Sequence, residues 1–399
     1  MKILYHHRIA SKDGQYVHIE GIVSALRGLG HDVILTGPEL AQNQTFGGES
    51  GWVRWLKRWI PGALYEAAEF GYSFLDYFRL SRAIRRHRPD FVYERYNLFF
   101  VSGLWARRRH RVPWLVEVNA PLFDERCAYG GIRLKWLARW SERSVWRGAD
   151  QVFAVTQVLA QRVEREGVPR TRLAVTPNGI DTAAFEGLPL RAEAKQCLGL
   201  EERVVLGFTG FVRQWHGLER VLDVMQRLRV PSQFVLVGDG PARVELEQRA
   251  LALGLAANIT FTGVVERSQV VGLINAFDIA LQPDVVAYAS PLKLFEYLAA
   301  GCAIVAPDRP NIREILIHDV NAWLFDPDDP DGFTEAVARL ANDAALRQRL
   351  GNAAKATIHQ RHLTWSGNAE RILACARTLT VGANTKGPRP VLNPGQSRD

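Results

Sequence analysis

The 399 residues are long for one hydrophobic core, so two domains are expected, and with 47% hydrophobic residues each can bury one. A formal charge of +8 points to an anionic partner, whether nucleic acid, an acidic membrane surface or a phosphorylated ligand, without choosing among them. Four scattered cysteines lack metal-ligand or disulfide spacing, which fits a reducing cytoplasm, and no apolar run reaches the ~18 residues of a membrane span.

The opening MKILYHHRIA has an apolar part too short for a signal peptide. From there, short apolar runs alternate with amphipathic stretches, and the pattern occurs twice. In the first half, strands are predicted at 2–5, 32–36, 90–94, 113–118, 151–155 and 173–177, with a helix over 15–30. In the second half they are predicted at 203–210, 233–238, 258–263, 278–283, 303–307 and 322–326, with helices between them, one over 243–255. Apolar strands joined by crossover helices make parallel sheets covered on both faces. The fold class is therefore α/β, with two Rossmann-like domains, 1–185 and 186–363, and a boundary near 183–202. The helix 364–378 is expected to return to the first domain, and the Pro- and Gly-rich tail 381–399 to be disordered. Ligands of such sheets sit outside the carboxyl ends of the strands, so two domains facing each other make a cleft lined by loops.

Two segments interleave aromatic and basic residues. In 51–60, Trp52, Trp55 and Trp59 alternate with Arg54, Lys57 and Arg58, the pattern of a helix lying on an anionic bilayer, and contact with such a surface is expected. For 132–148 a core-packed helix with a solvated basic face is the expected reading. No nucleic-acid recognition motif accompanies either segment, and nucleic acid is not an expected partner.

The stretch SPLKLFEYLAAG (290–301) follows an apolar strand. Ser290 suits an N-cap and Pro291 the first helical position, leaving the amides of Leu292 and Lys293 pointing outward as an anion site. Lys293 adds a full charge there, and Glu296, one turn on, can accept both hydroxyls of a ribose. An exposed i, i+3 ion pair between Lys293 and Glu296 explains the same residues, and helix physics alone does not choose. The turn VGDGP (237–241) has Arg243 where a dinucleotide fingerprint needs its third glycine, so a tight turn is expected and NAD is not. The acidic run DPDDPD (326–331) follows a strand and opens a helix; capping and solvation account for it, and no metal site is expected.

The segment 290–316 closely resembles the nucleotide-sugar site of group 1 (family 4) glycosyltransferases, which have the GT-B fold of two facing Rossmann-like domains. Further resemblances, in the same order and spacing, are GADQVFAVTQVLAQRVEREGVPRTRLAVTPNGIDTAAF (148–185), FTGFVRQWHG (208–217), FVLVGDGPARVELE (234–247) and NITFTGVV (258–265), so the likeness covers nearly all of 148–375. It implies that Glu296 holds the donor ribose, that Tyr288 stands where many members have a sugar-touching glutamate, and that Arg213, with His216 in the place of a lysine, binds the diphosphate together with Lys293. A neutral imidazole donates one hydrogen bond and is cationic only below about pH 6.5 unless its pKa is raised. Gly210, Gly238, Asp239, Gly240 and Val265 fall in loops beside the donor in such enzymes.

On the first domain, the resemblance places Asp13, Gly14 and His18 where donor phosphate and acceptor meet, and Asn119 where many members carry a histidine near the anomeric carbon. Asn119 cannot act as a base but can orient a hydroxyl. Glu117 flanks it; acceptor contact and a structural pair with Arg95 are both open. The implied activity is transfer of a sugar, with retention, from a nucleotide diphosphate-sugar to a lipid-linked or saccharide acceptor, without a metal or other cofactor. The expected setting is cytoplasmic, peripheral on the membrane, in surface polysaccharide, lipopolysaccharide or glycolipid assembly. A sugar-nucleotide epimerase of the same fold and a non-catalytic partner protein are the rival readings.

Overall fold

A computed structural model describes residues 1–9, 14–38 and 61–385. The segment 51–60, Asp13 and residues 386–399 lie outside the described residues.

All twelve predicted strands form. In the first sheet β1 (Lys2–His6), β2 (Asp32–Thr36), β3 (Phe91–Arg95), β4 (Trp114–Val118), β5 (Gln151–Ala154) and β6 (Leu173–Val175) lie in the order β2-β1-β3-β4-β5-β6. In the second, β7 (Val204–Thr209), β8 (Ser232–Val237), β9 (Ile259–Gly263), β10 (Ile279–Leu281), β11 (Ala303–Pro307) and β12 (Trp323–Phe325) lie in the order β12-β11-β10-β7-β8-β9. Neighbouring strands are parallel throughout. Every residue of β3, β4, β8 and β11 is buried, so neither face of these strands is left to solvent and they read as mostly apolar runs rather than alternating ones.

One face of the first sheet is covered by the helices Gly62–His87, Ser102–His110 and Lys135–Gly148. The other is covered by Gly14–Gly28 and by a helix from the far end of the chain, Trp365–Thr385. Trp365, Ala369, Ile372, Leu373 and Ala376 recur at helical spacing and all enter this core. The helix continues to Thr385, into a stretch expected to be disordered. Ile180 and Phe185, which the sequence reading put in the first domain, pack in the core of the second.

The two domains are stitched at one seam. The Glu314 carboxylate, from the second domain, accepts from the amides of Gln157 at 2.7 and 2.8 Å and of Val158 at 3.2 Å. It thereby caps the first-domain helix Gln157–Arg165 alongside that helix's own N-cap Thr156, whose hydroxyl oxygen accepts from Leu159.

Gly21 faces Trp365 so closely that an added Cβ would lie 2.6 Å from the indole. In a free helix Gly→Ala stabilises by about 1 kcal/mol, but here overpacking decides the sign. Gly21→Ala should therefore lower stability by roughly 1–3 kcal/mol in urea melts, whereas Gly28→Ala, which meets nothing within 4 Å, should not.

Candidate active site

The site sits where β7 and β10 end. Beyond β7 the chain turns at Gly210, whose φ is +130°, and beyond β8 at Gly238, whose φ is +127°. A Cβ on Gly238 would lie 2.1 Å from the carbonyl oxygen of Gly210, and one on Gly240 would lie 2.3 Å from that of Val212. These glycines thus let two loops run backbone against backbone, and the Val212 amide donates to Asp239 O at 2.9 Å. The Asp239 carboxylate accepts from the Gly240 amide at 2.7 Å and lies 3.6 Å from Arg243. Gly238, Asp239 and Gly240 shape the floor. Val265 packs against the second core further along.

The helix Leu292–Ala299 is held to β7 by the Tyr297 hydroxyl, which accepts from the Thr209 amide at 2.9 Å. It begins one residue later than expected. Pro291 occupies the N-cap position with extended backbone and Ser290 does not cap the helix. Asn178 is the reason: its amide N–H donates to Ser290 Oγ at 3.1 Å and its side chain donates to Ser290 O at 2.5 Å. The amides of Leu292 and Lys293 carry no hydrogen bond among the described residues.

Lys293 reaches back from this helix start over the ring of Phe208, with Nζ 3.5 Å from the centroid. Its Nζ is buried and has no hydrogen-bond partner. Gly210 leaves it room, since a Cβ there would lie 3.3 Å from Nζ. The ion pair with Glu296 does not form among the described residues. Burial lowers the Lys293 pKa to about 7, with Glu296 acting in the opposite direction. Burial likewise raises Glu296 to about 7 against the pull of Arg267 and Lys293. The site thus holds a cation and a carboxyl group that share the charge near neutrality.

His216 packs on the other side of Phe208, its ring centre 5.2 Å away. Burial first, then Lys293 and Arg213, lower its pKa to about 2. The expected cationic form below pH 6.5 is therefore not available, and the imidazole stays neutral. Its Nδ1 accepts from the Arg213 amide at 3.4 Å, which leaves the proton on Nε2. The exposed Arg213 guanidinium lies between the rings of Phe211 and Trp215, 4.7 Å from each.

Across the cleft, two sequence-predicted acceptor residues turn out to be interior. Glu117 is 3% exposed, and its oxygens accept from Tyr93 (2.6 Å), Arg95 (2.9 Å) and Asn119 (2.5 Å). His18 Nε2 lies 2.8 Å from the same carboxylate and its Nδ1 lies 2.7 Å from Asn178 Oδ1. Burial would raise the Glu117 pKa, but His18, Arg95 and the Asn119 amide hold it well below the carboxylate range. The structural-pair reading of Glu117 and Arg95 is the observed one, and His18 is a buried link rather than a cleft-facing group. Asn119 is half-buried, and its amide is spent on Glu117. Gly14 abuts Leu292, its missing Cβ 3.6 Å from that side chain. Tyr288 packs against the first-domain core and accepts from Thr156 through its carbonyl at 3.0 Å.

Sequence reasoning missed Asn178. It sits in the quoted PNGID turn, and joins His18 of the first domain to Ser290 of the second. It also missed Phe208, hidden as one more apolar strand residue. Glu125 lies in the first turn of the helix Leu122–Tyr129, just after β4. It hydrogen-bonds Tyr288 and is within electrostatic reach of Arg213; burial raises its pKa against both. Beside it opens a cleft of about 280 Å³, lined by Asn97, Leu98, Leu122, Glu125, Arg126 and Gly130.

Comparison with known proteins agrees with this layout. The Glycosyl transferase 4-like domain profile matches residues 13–179 and that of Glycosyl transferases group 1 matches 191–357. The lipopolysaccharide core biosynthesis glycosyltransferase LpsD of Rhizobium meliloti is 31% identical over 72% of this chain and 75% of its own length. The phosphatidyl-myo-inositol mannosyltransferase of Mycolicibacterium smegmatis is 28% identical over 57% of each. Against matched archaeal, streptomycete and mycobacterial relatives, the chain spans 58%, 62% and 57% of the relative's length. Anabaena HepE in complex with UDP superposes with a TM-score of 0.72 at 19% identity, over 96% of this chain and 100% of that one, and so shares its two-domain GT-B fold.

A buried, unpartnered ammonium costs stability. Lys293→Met should therefore stabilise the ligand-free protein by roughly 1–3 kcal/mol. The folded-state pKa lies below the unfolded 10.5, so the gain is full below pH 7 and fades as pH rises toward 10.5. Urea melts at pH 6.5 and pH 9.5 check both the sign and the trend.

Proposed function

This chain belongs to the group 1 glycosyltransferases, and we propose that it moves a sugar, with retention of anomeric configuration, from a nucleoside diphosphate-sugar to a hydroxyl acceptor in surface glycolipid or lipopolysaccharide assembly. The carrying observation is the buried Lys293 ammonium, held without a hydrogen-bond partner at the start of the helix Leu292–Ala299. A cation in that position, beside two unspent helix amides, is complementary to a diphosphate. Relatives and neighbours support the reading: LpsD is named for lipopolysaccharide core biosynthesis, and HepE has been crystallised with UDP and with UDP-glucose.

In this mechanism the leaving diphosphate gathers negative charge as the glycosidic bond lengthens. Lys293, the amides of Leu292 and Lys293, and the Arg213 guanidinium stabilise that charge in a site partly closed to water. Neutral His216 donates one hydrogen bond through Nε2. The Glu296 carboxylate accepts from the donor ribose. The acceptor enters from the first domain, past Glu125 and the Asn119 carbonyl. No metal or other cofactor enters this scheme.

A thermal-shift panel with UDP, GDP, ADP, dTDP and their sugar conjugates tests the donor. One nucleotide series should raise the melting temperature of the native chain, and Lys293→Met should abolish that rise. A rise that survives in the variant removes Lys293 from the donor site. NMR of the product formed from the best donor reads the anomeric configuration.

Donor affinity should also peak near pH 7. Below it Glu296 gains a proton and stops accepting from the ribose; above it Lys293 loses the proton that binds the diphosphate. Calorimetry from pH 5.5 to 8.5 should show affinity falling on both sides. Glu296→Gln should flatten the acid limb alone.

A further inference from the structure

We propose that the outer face of the helices Gly62–His87, Ser102–His110 and Lys135–Gly148 is a docking surface for an anionic lipid bilayer. The argument begins with what these helices expose. Leu75 (67%), Phe78 (65%) and Phe74 (53%) stand open on the first, and Trp136 (71%) and Trp140 (46%) on the third. The helix Lys135–Gly148 packs on the core through Leu137, Ala138, Val145 and Trp146, as expected of it, while Trp136 and Trp140 join its solvated basic face. Phe74, Phe78 and Trp140 are linked to one another through the half-buried rings of Phe70, Tyr77 and Trp105: Phe78 lies 5.4 Å from Tyr77, which lies 6.2 Å from Trp105. Phe70 touches Trp140 (6.0 Å), Phe74 (6.4 Å) and Trp105 (6.4 Å), and Trp105 touches Phe74 at 4.8 Å. A patch of this kind on a monomer marks an interaction site.

Charge identifies the partner. Phe74, Phe78, Arg82 and Arg86 follow one another at four-residue spacing, so the apolar ridge runs directly into a cationic end. Arg79 and Arg85 are exposed beside it, Arg108 and Arg109 on the second helix, and Arg139 on the third. Each acidic residue of the three helices is turned inward and engaged. Glu66 accepts from the amides of Arg133 and Leu134, Glu69 pairs with Arg126, Asp76 pairs with His6, and Glu142 accepts from Tyr96. What faces outward is therefore apolar or cationic. Aromatic and aliphatic side chains flanked by arginines suit the interface of a bilayer carrying anionic headgroups. A nucleic acid fits less well, since Leu75 and Phe74 give no hydrogen-bonded base readout.

The face also lies beside the acceptor cleft. Glu69, on the same helix as Phe74, holds Arg126 at 3.0 Å, and Arg126 lines that cleft. Docking would present the cleft to molecules carried in the bilayer. The inference stands apart from the donor reading, because lipid binding and nucleotide binding are measured independently.

The test is co-sedimentation of the full chain with vesicles of phosphatidylcholine alone and of phosphatidylcholine with 30 mol% phosphatidylglycerol. Binding is expected to the anionic vesicles only, weakening about tenfold between 0.1 and 0.5 M NaCl. Leu75→Ser/Phe78→Ser and Arg82→Glu/Arg86→Glu are surface pairs. Each should reduce partitioning at least tenfold while leaving the melting temperature and its shift by nucleotide unchanged. Absence of binding overturns the proposal. So does binding that both variants retain, which puts the contact elsewhere, or concentration-dependent dimerisation lost in the Leu75→Ser/Phe78→Ser variant, which makes the occupant a second copy of the chain.

Discussion

The site depends on one unfavourable placement: an ammonium group taken out of water and given no hydrogen-bond acceptor. The loops around Lys293 make sense as consequences. Gly210 is required by its φ of +130°, and a Cβ there would also press to 3.3 Å from the lysine Nζ. Phe208 supplies the π-face that partly compensates the lost hydration. His216 sits within the same field and cannot hold a second proton there. In the proposed reading an incoming diphosphate oxygen would supply the acceptor that this cation lacks.

The second constraint is that two sheets must agree on where the helix carrying Lys293 begins. Asn178 settles this by bonding to both the backbone and the side chain of Ser290, and by touching His18 with its remaining oxygen. His18 in turn meets Glu117, which Tyr93 and Arg95 fix within the first sheet. A chain of buried polar contacts therefore runs from β3 and β4 to the start of the helix Leu292–Ala299. Such a chain is rigid while fully satisfied, and each member is costly to leave unpaired. Glu314, capping a first-domain helix from the second domain, forms a separate tie at the same seam.

The strands were legible because parallel sheets bury both faces, which writes each strand as a short apolar run with helices between. The helix Leu292–Ala299 was legible because its signal is local: a Ser-Pro step after a strand, then Lys293 and Glu296 one turn apart. The failures share a cause. Ser290 followed the cap rule in sequence, but Asn178, 112 positions away, took its hydroxyl. Glu117 and His18 looked like cleft residues because they sit at a strand end and a helix start; only the fold shows that they face each other. Phe208 could not be singled out, since nothing in an apolar strand marks the residue that lies under a distant lysine.

Composition misleads in the same way about charge. A formal +8 spread evenly over 399 residues is modest. In the first domain, however, carboxylates are drawn into the interior. Glu94 and Asp76 enclose His6 at 2.9 Å each, and although burial alone would lower its pKa, the two carboxylates raise it to about 10. Glu117 and Glu142 are likewise buried. Asp76 and Glu142 lie on the core side of their helices, while arginines such as Arg82, Arg86 and Arg108 lie on the exposed side. The sign of that exposed side is thus set by where the charges are placed, which a residue count does not show: the carboxylates that pin the helix Gly62–His87 to its sheet leave its outer side to arginines.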